Sequence, residues 1–328
     1  MNEEDVVSQM VQAGLDMPPS PLNLNGKRVY FGPKKKQWYR LHEIRSRVSN
    51  REVVVGDFGD FKHGVYCKVD IDWKGMAAEE RERLKEQRLQ QEQRQKQERA
   101  AAAAQAAMTA AELWASAARE PLGPVPYLQR KAAQAEGCRY LRDGSIVIPL
   151  LRYDLPRDQA LKALQVIRPD GTKRFTKGFE KPGCCLRLGH VVVGEPLLIC
   201  EGWATGLSLR MAVERRLPVV VALDAGNLQP VATLLRQLYP QAPLLVCADD
   251  DWRTEGNPGR LKAHQASRTV DDCHYTWPIW ARLPRGPKDT DFNDLHLSAG
   301  LGVVRRQLRH AFYVLGSEIL TESLNVAA

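Results

Sequence analysis

Asp249, Asp250 and Asp251 end the apolar run "LLVCADDDW", and Glu201 with Gly202 ends the earlier run "EPLLICEG". Carboxylates in series repel one another unless positive charge sits among them, and a metal ion is the simplest such charge. Side chains alternate along extended chain, so Asp249 and Asp251 share one face while Asp250 points away. If the two runs are parallel strands of one sheet, Glu201, Asp249 and Asp251 emerge together at one edge. Such hard oxygen ligands suit Mg2+ or Mn2+ held partly through water and substrate phosphates. Asp250 is then a metal ligand only through water. Gly202 allows a sharp turn and a close approach of phosphate. Acids after strands also serve as helix caps. An E-G after one strand with a D-x-D after the next but one is more specific than any single acid.

The elements that must position these acids follow from residue 195 onward. "EPLLIC", "PVVVAL", "PLLVCA" and "HYTWPIW" read as strands, with helical stretches "ATGLSLRMAVERR", "NLQPVATLLRQLY" and "NPGRLKAHQASRTV" between them. Asn227 is expected to cap the second helix, and Pro258 to stand in the first turn of the third. Apolar strands alternating with helices predict a parallel sheet with helices on its faces, and ligands bind such sheets at the carboxyl ends of the strands. Near the C-terminal end, "KDTDFNDL" adds Asp289, Asp291, Asn293 and Asp294. Asp291 is expected to face the site, in a second layer around the metal. Asn293 is expected to cap the final helix, with a place in that second layer as the other option.

Upstream, three further regions differ in character. Residues 138–193 hold the strand-like runs "SIVIPLLRYD", "ALKALQVIRPDGTKRFTKG" and "CCLRLGHVVV". Within them Lys173, Arg174 and Lys177 could grip a nucleic-acid backbone or a triphosphate, or could stand as a solvated hairpin tip. Phe175 reads as core, and Arg130 and Lys131 are weaker cationic candidates. Residues 76–118 contain no Gly or Pro and are rich in Ala, Glu, Arg and Gln, which predicts a long exposed helix held by pairs of opposite charge. Residues 1–75 mix helix and strand patterns. Lys34, Lys35 and Lys36 stand there beside Trp38 and Tyr39, a mixture that can bind single strands. A solvated turn next to core aromatics is the simpler expectation.

Bulk properties narrow the classes. The chain has 328 residues with a net charge of +8, which suits a polyanionic partner. Seven cysteines form no C-x-x-C pair, so a zinc ribbon is not expected, and an odd count suggests a reducing compartment. The acidic start "MNEEDVVSQM" is unlike a signal peptide, and no apolar run approaches a membrane span. The seven histidines show no metal-ligand spacing.

"LLICEGWATGLSL" with "LLVCADDD" resembles the Toprim domain, shared by bacterial-type primases, topoisomerases and some nucleases. The resemblance implies metal-dependent phosphoryl transfer, with Glu201, Asp249 and Asp251 as the family's glutamate and D-x-D. It extends to the Toprim primases of phages and plasmids through "AGLDMPPSPLNLNGKRVYF", "VVVGDFGDFKHG", "PVPYLQRKAAQAEGCRYL" and "DTDFNDLHLSAGLGVVRRQL". "IVIPLLRYD" with "ALQVIRPDGTKRFTKG" resembles the basic β-rich subdomain that precedes Toprim in DnaG-like primases. The fold so implied is a Toprim-type parallel sheet flanked by helices over 194–328. A β-rich basic subdomain over 121–193, a long charged helix over 76–120 and a small α+β domain over 1–75 precede it. The implied activity is that of a DNA primase. It would make short RNA primers on a single-stranded DNA template from ribonucleoside triphosphates, with Mg2+ or Mn2+, for a phage, plasmid or integrated element in a bacterial cytoplasm. A replicative helicase, or a separate zinc or helicase module, is an implied partner, because neither module is visible here. Two other functions remain open: a Toprim nuclease using water as nucleophile, and a DNA-binding replication accessory without catalysis. A topoisomerase is not expected, since the DNA gate with its catalytic tyrosine has no room here. The resemblance has one local departure: "WRTEGNPG" stands where the family runs quickly from D-x-D into glycine and helix.

Overall fold

The computed structural model describes residues 3–45, 52–61, 65–70 and 78–314, which divide into two compact units, Met1–Glu98 and Arg99–Ala328. In the first unit, helix α1 (Glu3–Gln12) precedes four strands, β1 (Val29–Phe31), β2 (Gln37–Arg45), β3 (Glu52–Asp60) and β4 (Val65–Lys68). They form an antiparallel meander in that order, and the predicted "RVYFGPKKKQWYRLHE" hairpin is its β1–β2 pair. Val6 and Met10 of α1 join Tyr39, Leu41, Val54 and Phe58 in one core. Apolar burial of this kind drives the packing.

Helix α2 (Ala78–Ser116) matches the expected long helix, but the division between units falls inside it. Its alanine-rich end is no free linker. Ala110 and Ala117, with Leu113 and Trp114, pack against Val147 and Leu164. Small side chains there let the helix lie close to the sheet beneath it.

In the second unit, α3 (Pro126–Arg130) includes only the first four residues of the longer helix expected from "YLQRKAAQAEG". Ala132 follows with φ of +45°, a left-handed conformation that stops a helix. Strands β5 (Arg139–Tyr140), β6 (Ile146–Leu151), β7 (Leu161–Ile167) and β8 (Lys173–Phe175) form an antiparallel sheet. Then come β9 (Leu186–Leu188), β10 (Leu197–Cys200), α4 (Trp203–Ala212), β11 (Val219–Val221), α5 (Leu228–Leu238) and β12 (Leu244–Cys247). The described chain ends with α6 (Pro258–Thr269), β13 (Cys273–Thr276), α7 (Phe292–Ala299) and α8 (Leu301–Val314). The second sheet has the order β13-β12-β10-β11-β9. Its first four strands are parallel, and β9 closes the far edge antiparallel to β11. Strands β10 and β12 are buried along their whole length, as two covered faces require.

Two expectations about boundaries change. The "CCLRLGHVVV" run does not belong to the β-rich lobe, since β9 pairs with β11 in the parallel sheet. Nor is that lobe separate from the sheet that follows it. Ile146, Ile148, Leu150 and Ile167 share one core with Leu198, Cys200, Trp203 and Val219. The single closing helix expected from the sequence is two, broken at Gly300, whose φ of +83° favours glycine. Among the described residues, no helix is long and apolar enough to cross a membrane.

Candidate carboxylate site at the sheet edge

Strands β10 and β12 pair directly, with Cys200 opposite Cys247. Glu201 and Asp249 therefore leave the sheet side by side, one residue out of step. The backbone alternation expected for the triple aspartate holds. The charges of Asp251 and Asp249 both act on the Glu201 cluster, whereas Asp250 lies on the other side.

Burial and mutual repulsion dominate the electrostatics of the cluster. Burial first, then Asp251 and Asp224, pushes the Glu201 carboxyl up to about 7, with Lys173 opposing. Burial, Asp291, Glu201 and Asp251 hold Asp249 well above the usual carboxylate range. Asp291 is also raised, by burial and by Asp294, with Lys131 opposing. Asp249 Oδ1 is sealed from solvent without a hydrogen-bond partner. A cation placed there would meet an orphaned oxygen and relieve the repulsion. The donor set therefore fits a divalent metal. Among the described residues, no three His, Cys, Asp or Glu side chains are grouped closely enough to hold an ion by themselves. Water and substrate oxygens would complete the shell, as is usual for Mg2+.

The loop after β12 fixes the acids, and it explains the departure "WRTEGNPG". Asn257, at φ of +40°, caps α6; its Oδ1 accepts from the Asp251 amide at 2.9 Å, and its Nδ2 donates to Asp250 Oδ1 at 2.7 Å. The Gly259 amide donates to Asp251 Oδ2 at 3.0 Å. A Cβ on Gly259 would stand 2.4 Å from the Asp249 carbonyl oxygen, so only glycine lets α6 approach so closely. Pro258 occupies the first turn, as expected.

Asp250 is not a ligand to this cluster, a correction to its expected place. Arg285 donates to its Oδ2 at 2.8 Å and to its carbonyl at 2.9 Å, and Arg260 stands 3.7 Å from Oδ1. With Asn257, these partners take both oxygens. Arg285 lies 35 positions away along the chain, so no local pattern announces the pair.

The other expectations divide. Asp291, not Asn293, caps α7: its Oδ1 accepts from the Asp294 amide at 2.8 Å in a reciprocal capping box. Its Oδ2 accepts from Thr205 Oγ1 at 3.0 Å, which turns it toward the α4 end of the site. Asn293 is fully buried and donates to the Lys131 carbonyl and to Ser208 Oγ. It braces the fold. Asn227 stands at the N-cap position of α5, as expected, but its side chain makes no capping bond. Asp224 caps the preceding turn, while Asn227 donates to the Cys184 and Ala222 carbonyls and accepts from the Gly183 amide. Gly202 has φ of −93°, so its turn needs no glycine; a Cβ there would stand 3.3 Å from Thr205 Oγ1.

Lys173, Arg174 and Lys177 are exposed, and the Lys173 charge reaches Glu201 from β8. Phe175 packs on the core and lies 5.8 Å from the Phe179 ring centroid. Lys131 pairs with Asp294 at 3.7 Å, and Arg130 donates to the Pro169 carbonyl at the hairpin tip. Residues missed from the sequence are Lys181 and Asp224, which pair beside Glu201, and Glu136, which receives a two-pronged bond from the buried Arg210. The signal for neither pair lies in local spacing.

Residues 196–302 match the family model described as the Toprim domain. Two DNA primase TraC proteins of Escherichia coli are each 38% identical to this chain, over 156 and 160 residues. Each match covers 45% of this chain, but only 10% and 14% of the relatives' own lengths. The chain therefore spans a small part of them. The primase fragment of the bacteriophage T7 primase-helicase protein aligns at 14% identity and a TM-score of 0.38, over 55% of this chain and 69% of that one. That score is too low to establish a shared fold. Two acid-bearing parallel strands lie side by side in the segment that matches the Toprim domain.

Proposed function

We propose that this chain is a DNA primase of the phage and plasmid type. It joins ribonucleoside triphosphates into short RNA primers on a single-stranded DNA template. The observation that carries this reading is the orphaned, repelling carboxylate cluster of Glu201 and Asp249 at the strand ends of the segment that matches the Toprim domain. The 38% identity to two DNA primase TraC proteins, over 45% of this chain, supports primer synthesis over other Toprim chemistry.

Glu201, Asp249 and Asp251 would hold Mg2+ or Mn2+. When bound, such ions polarise an α-phosphate and stabilise the attacking and leaving oxygens. The remaining roles belong to the chain itself. Asn257 and Gly259 hold Asp251 in place. Gly202, without a side chain, leaves space for a phosphate oxygen at the start of α4. Lys173, Arg174 and Lys177 offer cationic side chains to the template or to the triphosphate. Arg130 has turned to the hairpin tip and Lys131 to Asp294, so their part is to shape the lobe. A helicase, or a zinc module on another chain, would bring the template, and the setting would be a bacterial cytoplasm.

The test is incubation with single-stranded DNA, labelled ribonucleotides and Mg2+ or Mn2+, beside a variant carrying Asp249→Ala and Asp251→Ala. Short labelled oligonucleotides from the wild type alone support the proposal. Cleaved DNA without synthesis would install the nuclease reading, and binding without either activity would leave an accessory protein.

A further inference from the structure

The first unit carries an aromatic row of which only Trp38 is buried. Tyr30 pairs with Trp38, Trp38 with Gly59, and Gly59 with Tyr66, so one line crosses all four strands. Residues directly opposite in adjacent strands point to the same face. This face is the reverse of the one that α1 covers, because Tyr39 and Leu41 alternate with Trp38 and belong to the core. Phe61, just after β3, completes the group. Its ring lies 5.8 Å from Trp38 and 6.4 Å from Tyr30, in near-parallel planes of 28° and 30°. The Phe61 amide donates to the Lys36 carbonyl, which sets the ring beside the lysine turn.

Three of these rings are open to solvent: Tyr30 is 49% exposed, Phe61 54% and Tyr66 58%. An apolar cluster of that size is unfavourable in water, and on a folded protein it marks a binding surface. Gly59 belongs to the same design. A Cβ there would stand 2.2 Å from the Val65 carbonyl oxygen and 3.2 Å from Trp38 Cζ2, so glycine is needed for the close approach of β4 and also leaves the middle of the row without a side chain. The surroundings are cationic. Arg28 lies 4.1 Å over the Trp38 ring and 5.8 Å from Phe61. Lys27, Lys34, Lys35 and Lys36 are all exposed. Trp38 is 3% exposed, and its indole Nε1 has no acceptor, so the row also holds an unmet donor.

We propose that this patch, Tyr30, Phe61 and Tyr66 arranged around the buried Trp38, binds single-stranded nucleic acid by stacking bases on the exposed rings. The lysine turn and Arg28 meet the backbone phosphates. Stacking serves any base, so the site is sequence-tolerant, and it rejects duplex, whose bases are already stacked. The site lies wholly in the first unit, and it stands or falls apart from the chemistry of the carboxylate cluster.

The experiment uses the full chain, in chelator and without nucleotides, with fluorescent 20-mers of oligo-dT, oligo-rU and a duplex of equal length, read by anisotropy. The expected result is that Tyr30→Ala with Phe61→Ala weakens single-strand binding about 10-fold or more, since each stacked base contributes roughly a 5- to 150-fold factor. Tyr30→Phe should bind as the wild type does, because it keeps the ring. Lys34→Glu with Lys35→Glu should lower the salt dependence by about one to two phosphate contacts. The DNA and RNA arms tell which strand the face prefers. Both rings are exposed, so circular dichroism should stay unchanged. Ultraviolet cross-linking should attach the oligonucleotide to peptides containing Tyr30 or Phe61. Wild-type affinity in the double-ring variant, or binding lost only in Lys173→Ala with Arg174→Ala, would overturn the inference. Failure of primer synthesis in the separate labelling assay would leave it standing.

Discussion

The two sheets of the two units expose different parts of their strands. The parallel sheet of the second unit is buried on both faces, so its strands present chemistry only where they end. The antiparallel sheet of the first unit is covered by α1 on one face; on the other, Trp38, Val53, Val55 and Asp57 are also buried and Arg40 donates to Gln95 of α2, so that only a patch of rings, Tyr30, Phe61 and Tyr66, is exposed there. Strand ends suit a few carboxylates held at fixed spacing by backbone hydrogen bonds. An exposed patch of rings suits a broader, adaptable contact. Which part of a strand can carry function is decided by which parts the fold has already covered.

The sharpest break in this comparison is Asp249→Asn. It should reduce nucleotidyl transfer at least about 1,000-fold, the several kcal/mol expected for lost metal-centred charge stabilisation. Single-strand affinity in the first unit should stay unchanged, and paired synthesis and anisotropy assays check both. Next is Arg285→Ala, which leaves the buried Asp250 without its main cation. It should cost about 3 kcal/mol of stability, seen as a lower denaturation midpoint of the second unit. Gly259→Ala drives a methyl group into the Asp249 carbonyl and should cost about 1–3 kcal/mol while displacing the acids. Activity should fall further than stability alone explains. The smallest effect belongs to the exposed patch. Tyr66→Phe removes a 3.1 Å bond to Asp57, which Arg40 still holds, and should cost about 0.5–1 kcal/mol in a chemical melt.

A pH experiment separates the regions again. Glu201 titrates near 7 in the folded chain against an ordinary value of 4.5, so the folded state binds more protons between those limits. Metal-free protein should therefore lose stability as pH rises through that window. The slope should flatten in Asp251→Asn, which removes the carboxylate that repels Glu201 most, and divalent metal should abolish it. Melting curves at stepped pH, with and without chelator, read all three.

Much of the Toprim region was legible because its signals are local. Apolar runs of four to six residues end in acids, and Pro258 and the long charge-balanced stretch mark their own helices. The carboxylate edge followed from alternation and strand order. What stayed hidden depends on contacts distant in sequence. Asp250 reads as one of three equal acids until Arg285 folds onto it. Asn227 and Asn293 read as caps, yet each is buried against a segment dozens of residues away. The alanines of α2 carry no hydrophobic signal strong enough to predict that they pack on β6 and β7. The aromatic row needed the register of four strands, which no single stretch reveals.

Strand β9 carries a consequence for how this protein can be cut and recombined. It comes from the chain that leaves the β-rich lobe, yet it shields the outer edge of β11, where Val219, Val220 and Val221 are all fully buried. A fragment starting at residue 194 would keep every acid of the site and lose that shield. It would expose a naked hydrophobic edge, the usual seed of strand-to-strand aggregation. Fragments intended to stay soluble should begin before Leu186. An evolutionary exchange of lobes between such proteins would have to carry β9 along with the sheet it closes.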